Sequence, residues 1–95
     1  MTEPIRVEEN TQLRRYEVYV GDDLAGIAEY RDAPGRRTMF HTKVDDAFEG
    51  RGLAGRLAAW ALDDLRTKGL SVVPTCPFIR SSIERHPEYA DLVQG

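Results

Sequence analysis

A glycine-rich segment that runs directly into an amphipathic helix is the feature that most constrains the fold of this chain. The segment extends from Glu49 to Leu57 and reads EGRGLAGRL, with glycines at positions 50, 52 and 55. Glycine has no Cβ, so the backbone of such a segment can approach a ligand closely. The first amides of the following helix lack intrahelical partners and carry a partial positive charge. The sequence therefore predicts a loop that binds phosphate.

A Walker-type P-loop is a poor match to this segment. Gly50 and Gly55 have the spacing of the two glycines in that motif. Arg56 and Leu57 follow them, where the motif needs a lysine for the terminal phosphates and a serine or threonine for magnesium. A nucleoside triphosphatase is therefore not expected.

The dinucleotide-binding pattern G-x-G-x-x-G is matched literally by Gly50, Gly52 and Gly55. That pattern also needs a buried parallel strand before the loop and an acidic residue about 20 positions after it. Residues 70–74 read LSVVP and contain no acid. An NAD-binding module therefore ranks last among the interpretations of this segment.

The first half of the chain has the period-two alternation of β-strands. Strands are predicted over residues 13–20, 24–31 and 37–44, and the short turns between them indicate an antiparallel meander. Residues 5–8 either extend the first strand or pair separately. In the third strand, strict alternation places Met39, His41 and Lys43 on one face. The side chains on the other face are then Thr38, Phe40, Thr42 and Val44.

The second half of the chain changes to helical spacing. A helix is predicted from Gly52 to Lys68, with Gly69 as its stop, a short parallel strand over residues 70–73, and a last helix that breaks at His86-Pro87. Trp60 and Phe78 are assigned to the core. The order βββαβα predicts an α+β fold, layered as in α/β proteins, with an antiparallel meander followed by helix, strand and helix.

Composition limits the classes of protein to which this chain can belong. The chain has 95 residues, a net charge of −3 and a pI near 5.3, which argues against a nucleic-acid binder. It has no apolar run of membrane-spanning length. Its single cysteine excludes an internal disulfide and a cysteine-based zinc site. We expect residues 1–95 to form one cytoplasmic domain that binds no nucleic acid, membrane or metal.

Three segments, taken in order, resemble the GNAT superfamily of acetyltransferases, and most closely its short single-domain N-acetyltransferases. They are the loop from Gly50 to Gly55, residues 73–78 (VPTCPF) and residues 85–89 (RHPEY). The loop is similar to the Q/R-x-x-G-x-G/A pattern of that superfamily, with Glu49 in the place of Gln or Arg. The resemblance implies a GNAT-like core, acetyl-CoA as the ligand, and transfer of an acetyl group to an amine of a small molecule or protein.

The resemblance also implies where acetyl-CoA would bind. The strands before the loop and after the helix would splay apart and hold the pantetheine, whose amides would pair with backbone near Thr42, Lys43 and Val44. The pyrophosphate would lie against the loop residues Gly50, Arg51, Gly52, Leu53, Ala54, Gly55 and Arg56.

Two residues are candidates for catalysis. Cys76 follows the splayed strand, where the thiol can act as a nucleophile, protonate the leaving sulfur, or simply pack as a small apolar group. His41 is the second candidate, as a general base or a wall of the pocket. The acceptor-binding helices of larger family members are absent, so the alternative is a non-catalytic CoA-binding or interaction module. We expect a monomer or a weak homodimer.

Overall fold

A five-stranded sheet with two α-helices makes up the computed structural model, which describes residues 3–93. The strands follow the order β1-β2-β3-β4-β5; the first four pair antiparallel, and β5 lies parallel to β4. The elements are β1 Ile5–Asn10, β2 Arg15–Val20, β3 Asp23–Ala33, β4 Arg36–Val44, α1 Leu53–Lys68, β5 Ser71–Pro74 and α2 Pro77–Arg85, with short 3₁₀ turns at Asp46–Phe48 and Pro87–Leu92.

The observed architecture confirms the predicted α+β class and the meander followed by helix, strand and helix. The sheet contains one strand more than the order βββαβα, because Ile5–Asn10 pairs separately with β2, from Ile5 opposite Val20 to Asn10 opposite Arg15. The crossover from β4 through α1 to β5 gives the one parallel pair in the described sheet. This crossover brings the end of β4, the loop and the start of α1 to the same edge of the molecule.

The core lies between one face of the sheet and the two helices. Tyr16 and Val18 of β2 and Leu57 and Leu65 of α1 are fully buried in it. Trp60 was assigned to this core, but 38% of its surface is exposed, and its ring meets Tyr16 edge-on at a centroid distance of 5.7 Å. The apolar stripe of α1 is therefore shifted away from Trp60; its buried members are Leu53, Leu57, Ala58, Ala61, Leu62 and Leu65.

A bulge in β4 changes which side chains share a face. Glu29 pairs with His41 and Tyr30 with Met39, so Phe40 is the extra residue. Met39 is buried, whereas Phe40 and His41 are both exposed. The strict alternation that placed Phe40 with Thr42 and Val44 is therefore wrong, since the extra residue shifts the pleat by one position.

A buried arginine ties the opposite end of the sheet together. Arg37 is 5% exposed; it donates to the Asp32 carboxylate at 2.6 Å, the Tyr16 hydroxyl at 2.7 Å and the Glu9 carboxylate at 3.0 Å. Its guanidinium lies 3.7 Å from the centroid of the Tyr30 ring. Such a buried cation is stable only because several acceptors surround it. None of these contacts was predicted from the sequence.

Lysine and tyrosine donors complete the same cluster around Glu9. Lys68 donates to the Glu9 carboxylate at 2.7 Å, and the Tyr30 hydroxyl donates to it as well. Burial alone would raise the pKa of Glu9, but the hydrogen bonds from Lys68 and Tyr30 and the charge of Arg37 outweigh it and lower the pKa. The cluster therefore joins β1, β3, β4 and α1 through ionised groups.

Candidate active site

The glycine-rich loop adopts a backbone that favours glycine at two positions. Gly50 has a φ of +81° and Gly52, the N-cap of α1, has a φ of +71°. A Cβ added at Gly50, Gly52 or Gly55 would meet no atom within 4 Å. The two positive φ angles thus explain glycine at 50 and 52, and the space over all three residues is open to a ligand.

Six consecutive backbone amides of this loop have no hydrogen-bond partner among residues 3–93. The first helical bond of α1 runs from the amide of Arg56 to the carbonyl of Gly52, at 3.1 Å. The amides of residues 50–55 make no hydrogen bond within the described part of the chain. A row of such amides at the N-terminus of a 16-residue helix offers hydrogen-bond donors and a partial positive charge, to which an anion could bind.

Charged side chains of both signs surround the loop. Arg51 and Arg56 are exposed, and neither forms an ion pair with another described residue. The Arg51 guanidinium lies 5.3 Å from the centroid of the Phe48 ring. The carboxylate of Glu49 is exposed beside them. An anion at this loop would therefore be bound chiefly by backbone amides, with the two arginines offsetting Glu49.

The end of β4 parts from β5 next to this loop. Their pairing ends at Met39 opposite Pro74, while β4 continues to Val44. Beyond that point, the Cys76 amide donates to the Met39 carbonyl at 2.9 Å, and α2 then begins at Pro77. A gap is left beside residues 40–44, at the position where the resemblance implied splayed strands.

The hydrogen-bond ladder shows which backbone groups point into this gap. The Asp45 amide bonds to the Ala25 carbonyl at 2.8 Å, and in the same register Lys43 is opposite Ile27. Because hydrogen-bonded pairs alternate in antiparallel strands, the main chain of Lys43 points to β3, whereas that of Thr42 and Val44 points to the gap. Of the three residues predicted for this role, Thr42 and Val44 thus offer their backbone groups to a ligand.

Cys76 lies in the gap beside Thr42. Its side chain is buried, with the residue 5% exposed, and its Sγ is 3.4 Å from Thr42 Oγ1. The residue is the N-cap of α2 but makes no side-chain capping bond, so its thiol is not used to end the helix. The sequence located Cys76 here; it did not predict the contact with the Thr42 hydroxyl.

His41 is placed apart from Cys76. It is exposed and lies opposite Glu29, on the face of the sheet that Thr42 does not share. The imidazole makes no hydrogen bond or ion pair with another described residue. The structure therefore brings Thr42 and Cys76 together and leaves His41 on the other side of β4.

A shallow cavity connects the gap with the loop. It has a volume of about 240 Å³ and is walled by Val44 and Phe48 on one side and by the loop on the other. Its loop residues include four of those predicted to hold a pyrophosphate: Gly50, Gly52, Leu53 and Ala54. A ligand that lies along this cavity can touch the free amides and reach toward Thr42.

Other polar residues near the site have structural contacts. Asp45 caps the turn that precedes the loop, accepting from the Ala47 amide at 2.9 Å. The Tyr89 hydroxyl donates to Asp63 at 2.8 Å, and burial together with this bond raises the pKa of Tyr89 to about 12. Within residues 3–93, no three His, Cys, Asp or Glu side chains are grouped to hold a metal ion, and no helix is long and apolar enough to cross a membrane.

The fold and the site together define a small α+β domain in which a glycine-rich loop with free amides lies beside two parting strands. The chain belongs to the GCN5-related N-acetyltransferase family, whose family model matches residues 15–92. It is 35% identical to Protein NATD1 of Mus musculus, over 96% of this chain and 86% of the relative. It is 34% identical to Protein NATD1 of Homo sapiens, over 96% and 84% of the two chains.

A solved structure agrees with the fold. The NMR solution structure of a GCN5-like protein from Staphylococcus aureus superposes with a TM-score of 0.72 and covers 95% of this chain and 88% of its own. Its sequence identity to this chain is 21%, so the similarity concerns the fold. The predicted GNAT-like core is thereby confirmed.

Proposed function

We propose that this protein binds acetyl-CoA and transfers its acetyl group to an amine. The observation that carries the proposal is the row of six free amides at residues 50–55, next to a gap into which Thr42 and Val44 direct their backbone groups. The free backbone amides can donate hydrogen bonds to a pyrophosphate, and the gap can hold the extended pantetheine chain, which carries amide groups of its own. Membership of the acetyltransferase family supports the same ligand.

Successive parts of acetyl-CoA would contact successive parts of the site, from the loop to the gap. The loop amides, with Arg51 and Arg56 at its rim, would hold the pyrophosphate. The backbone of Thr42 and Val44 would pair with the pantetheine as an added strand does. The sulfur would then lie near Cys76. Acetyl-CoA supplies an activated acetyl thioester, and the protein positions it and excludes water from its reactive end.

Cys76 has one of two roles in the proposed reaction. In direct transfer, the amine nitrogen attacks the carbonyl carbon, the carbon–sulfur bond breaks, and the Cys76 thiol gives its proton to the departing thiolate. The Cys76 thiolate then takes up the proton that the amine nitrogen loses. In the two-step route, Cys76 Sγ attacks the carbonyl carbon, and CoA leaves as a thiol with the proton that Cys76 gave up. The amine then attacks the Cys76 thioester, the bond from carbon to Sγ breaks, and Cys76 regains a proton from the amine nitrogen. The Thr42 hydroxyl, 3.4 Å from Sγ, holds the thiol in place in both routes.

A non-catalytic CoA-binding module is the second candidate. The observation that favours it is the absence, within the described residues, of a carboxylate or imidazole bonded to Cys76; its Sγ contacts the Thr42 hydroxyl. His41, the other proposed catalytic residue, would act as a base only from the opposite face of β4. In that case the protein holds intact acetyl-CoA and transfers nothing.

A titration with acetyl-CoA followed by backbone amide NMR tests the proposed ligand. We expect shifts centred on residues 50–56, on Thr42 and Val44, and on Cys76. If no amide shifts at millimolar acetyl-CoA, the acetyltransferase proposal fails. A single-turnover assay with labelled acetyl-CoA and a panel of amines then separates the two candidates, since only an enzyme releases free CoA in proportion to an acetylated amine.

The proposal extends to the acceptor, the oligomeric state and the cellular compartment of the protein. We propose that the acceptor is an amine of a small molecule or protein, and that the protein acts as a monomer or weak homodimer. A buried free thiol at the site suits a reducing compartment such as the cytoplasm.

A further inference from the structure

Strand β1 forms an open edge of the sheet. In the part of the chain that the structure describes, it pairs with β2 on one side and with no strand on the other. The Gly21 amide donates to the Pro4 carbonyl at 2.8 Å, so these two residues are a hydrogen-bonded pair of the β1–β2 ladder. Because such pairs alternate, the backbone of Ile5, Val7 and Glu9 points away from β2. These residues present their amides and carbonyls to a further strand.

The exposed side chains of β1 alternate in charge. Arg6 and Glu8 are exposed and share the face of the strand opposite to Val7, which packs against the core. Opposite charges that face each other on neighbouring strands stabilise the pairing, whereas like charges destabilise it. The strand that fits this edge is therefore one that places an acid opposite Arg6 and a base opposite Glu8.

A second copy of β1, running antiparallel with Val7 opposite Val7, meets both requirements. In this register, Arg6 of each copy lies opposite Glu8 of the other, and Ile5 lies opposite Glu9, so the outward-pointing backbone groups meet. A shift by one residue would set them against groups that already face β2. A shift by two would place Arg6 opposite Arg6 or Glu8 opposite Glu8. Larger shifts leave most of the strand unpaired.

Glu9 does not oppose this pairing, although its side chain lies at the edge. Its carboxylate accepts hydrogen bonds from Lys68 at 2.7 Å and from Arg37 at 3.0 Å, and only 10% of the side chain is exposed. The charge of Glu9 is thus neutralised within its own chain. It brings no unpaired charge to a contact between two copies.

Apolar side chains beside the edge would be covered by the same contact. Ile5 and Val7 pack against the core but remain partly exposed. Trp60 of α1, 38% exposed, meets Tyr16 of the neighbouring strand β2 edge-on. A twofold axis perpendicular to the sheet would place both α1 helices on the same side, where the Val7 side chains of the two copies would adjoin.

We infer that two copies of this chain associate through β1 into one continuous antiparallel sheet, with Arg6 of each copy paired to Glu8 of the other. The contact is isologous, as expected of a twofold dimer. It involves a strand of six residues, so the dimer is a weak one. The inference is independent of the proposed function, since β2 and β3 separate β1 from β4.

Sedimentation equilibrium of charge-reversed variants tests this interface. Arg6→Glu and Glu8→Arg each create two like-charge pairs in the dimer, so each should raise the dissociation constant at least about tenfold. The double variant Arg6→Glu/Glu8→Arg restores opposite charges and should dimerise within about threefold of the wild type. Arg80→Glu makes the same change in net charge on the exposed surface of α2, and this control should keep the wild-type dissociation constant.

Mixing the two single variants adds a test that does not depend on their separate behaviour. The Arg6→Glu chain carries only acids at these two positions and the Glu8→Arg chain only bases, so an equimolar mixture should form a heterodimer. Its formation would also show that both variants are folded. If the wild type stays monomeric up to millimolar concentration, the inference fails. If it dimerises but the charge reversals leave the dimer unchanged, or the double variant does not recover, another surface forms the dimer and the inference is overturned.

Hydrogen–deuterium exchange reports on the backbone of the same edge. The amides of Ile5, Val7 and Glu9 should become more protected as the wild-type concentration rises, because only the dimer gives them partners. The amides of Arg6 and Glu8, which face β2, should change much less. In Arg6→Glu, the dependence on concentration should disappear. Protection of Ile5, Val7 and Glu9 that is the same at all concentrations would contradict pairing between two copies.

Discussion

Thr42 Oγ1 and Cys76 Sγ lie 3.4 Å apart at the point where β4 and β5 separate. Two independent features of the backbone create this contact. The bulge at Phe40 turns Thr42 to the helix side of the sheet, and the bond from the Cys76 amide to the Met39 carbonyl holds the start of α2 beside it. The thiol is thereby fixed next to the backbone groups proposed to receive the pantetheine.

Replacing Cys76 with alanine should separate chemistry from binding. We expect Cys76→Ala to bind acetyl-CoA within about twofold of the wild type, because the loop amides and the β4 backbone remain. Acetyl transfer should fall by at least about a hundredfold, the lower range for loss of a general acid. Calorimetry gives the first quantity and a single-turnover assay the second.

A serine variant and mass spectrometry of the wild-type protein decide between the two roles of Cys76. Cys76→Ser keeps a proton donor, so partial activity of this variant favours the role of Cys76 as an acid. Detection by mass spectrometry of wild-type protein acetylated at Cys76 favours its role as a nucleophile. Thr42→Val should reduce transfer while leaving binding intact, since it removes only the hydroxyl beside Sγ. Full activity of Cys76→Ala would mean that Cys76 only packs in the core and takes no part in the reaction.

A methyl group at Gly52 should damage binding and stability by separate mechanisms. Gly52 has a φ of +71°, so Gly52→Ala should cost about 1 kcal/mol of unfolding free energy. The added Cβ meets no protein atom but stands where a phosphate would approach, so affinity for CoA should fall at least about tenfold. Urea unfolding and calorimetry measure the two effects.

Gly35 provides a matched control for that strain. It has a φ of +75°, an added Cβ there meets nothing within 4 Å, and it lies in the turn before β4, at the other end of that strand. Gly35→Ala should lose a similar amount of stability and bind CoA normally. Equal affinities of the two variants would show that the space over Gly52 is not used by the ligand.

Local patterns in the sequence predicted those parts of the site that depend on the conformational preferences of neighbouring residues. The loop glycines, the helix that follows and its stop at Gly69 all follow from backbone preferences of single residues. The location of Cys76 came from the resemblance. The bulge at Phe40 could not be predicted, because it arises from pairing with β3, and it determines that Thr42 faces Cys76.

The buried arginine was missed although the sequence carried a signal for it. Arg37 precedes Met39 by two residues, so alternation along β4 places the arginine on the same face as an apolar side chain. An arginine on a core face needs acceptors, and these come from β1, β3 and α1, which the sequence does not place together.

Removing the Arg37 cation should be among the most destabilising single changes. In Arg37→Met, the carboxylates of Glu9, Asp32 and Asp64 lose their shared partner. Breaking a buried ion pair from one side costs about 3 to 5 kcal/mol, a large part of the stability of a small domain. Urea unfolding measures the loss.

Arg36 serves as the control for the Arg37 variant. It is the exposed neighbour on the same strand, and Arg36→Gln should change stability by no more than about 0.5 kcal/mol. At temperatures where Arg37→Met stays folded, it should still bind CoA, because the cluster lies at the opposite end of β4 from the loop. A loss below about 1 kcal/mol would mean that the cluster contributes little.

Acid should destabilise the fold through two carboxylates, Glu9 and Glu17. Glu17 is 4% exposed and accepts hydrogen bonds from Arg15 at 2.8 Å and from Tyr19 at 2.9 Å. Burial alone would raise the pKa of Glu17, but these bonds and one from Asn10 lower it, as those around Glu9 lower the pKa of that group. Both folded-state values thus lie below the ordinary value of 4.5.

The sign of the pH dependence follows from these two shifts. Below pH 4.5 the unfolded chain takes up protons at Glu9 and Glu17 before the folded protein does, so the free energy of unfolding falls as the pH drops through the folded-state pKa values. Glu17→Gln removes one of these groups, so its unfolding free energy should decline less steeply with acid than that of the wild type. Glu84→Gln, an exposed change on α2, should keep the wild-type slope. Urea unfolding at a series of pH values measures the slopes, and an unchanged slope for Glu17→Gln would mean that its hydrogen bonds do not favour the ionised carboxylate.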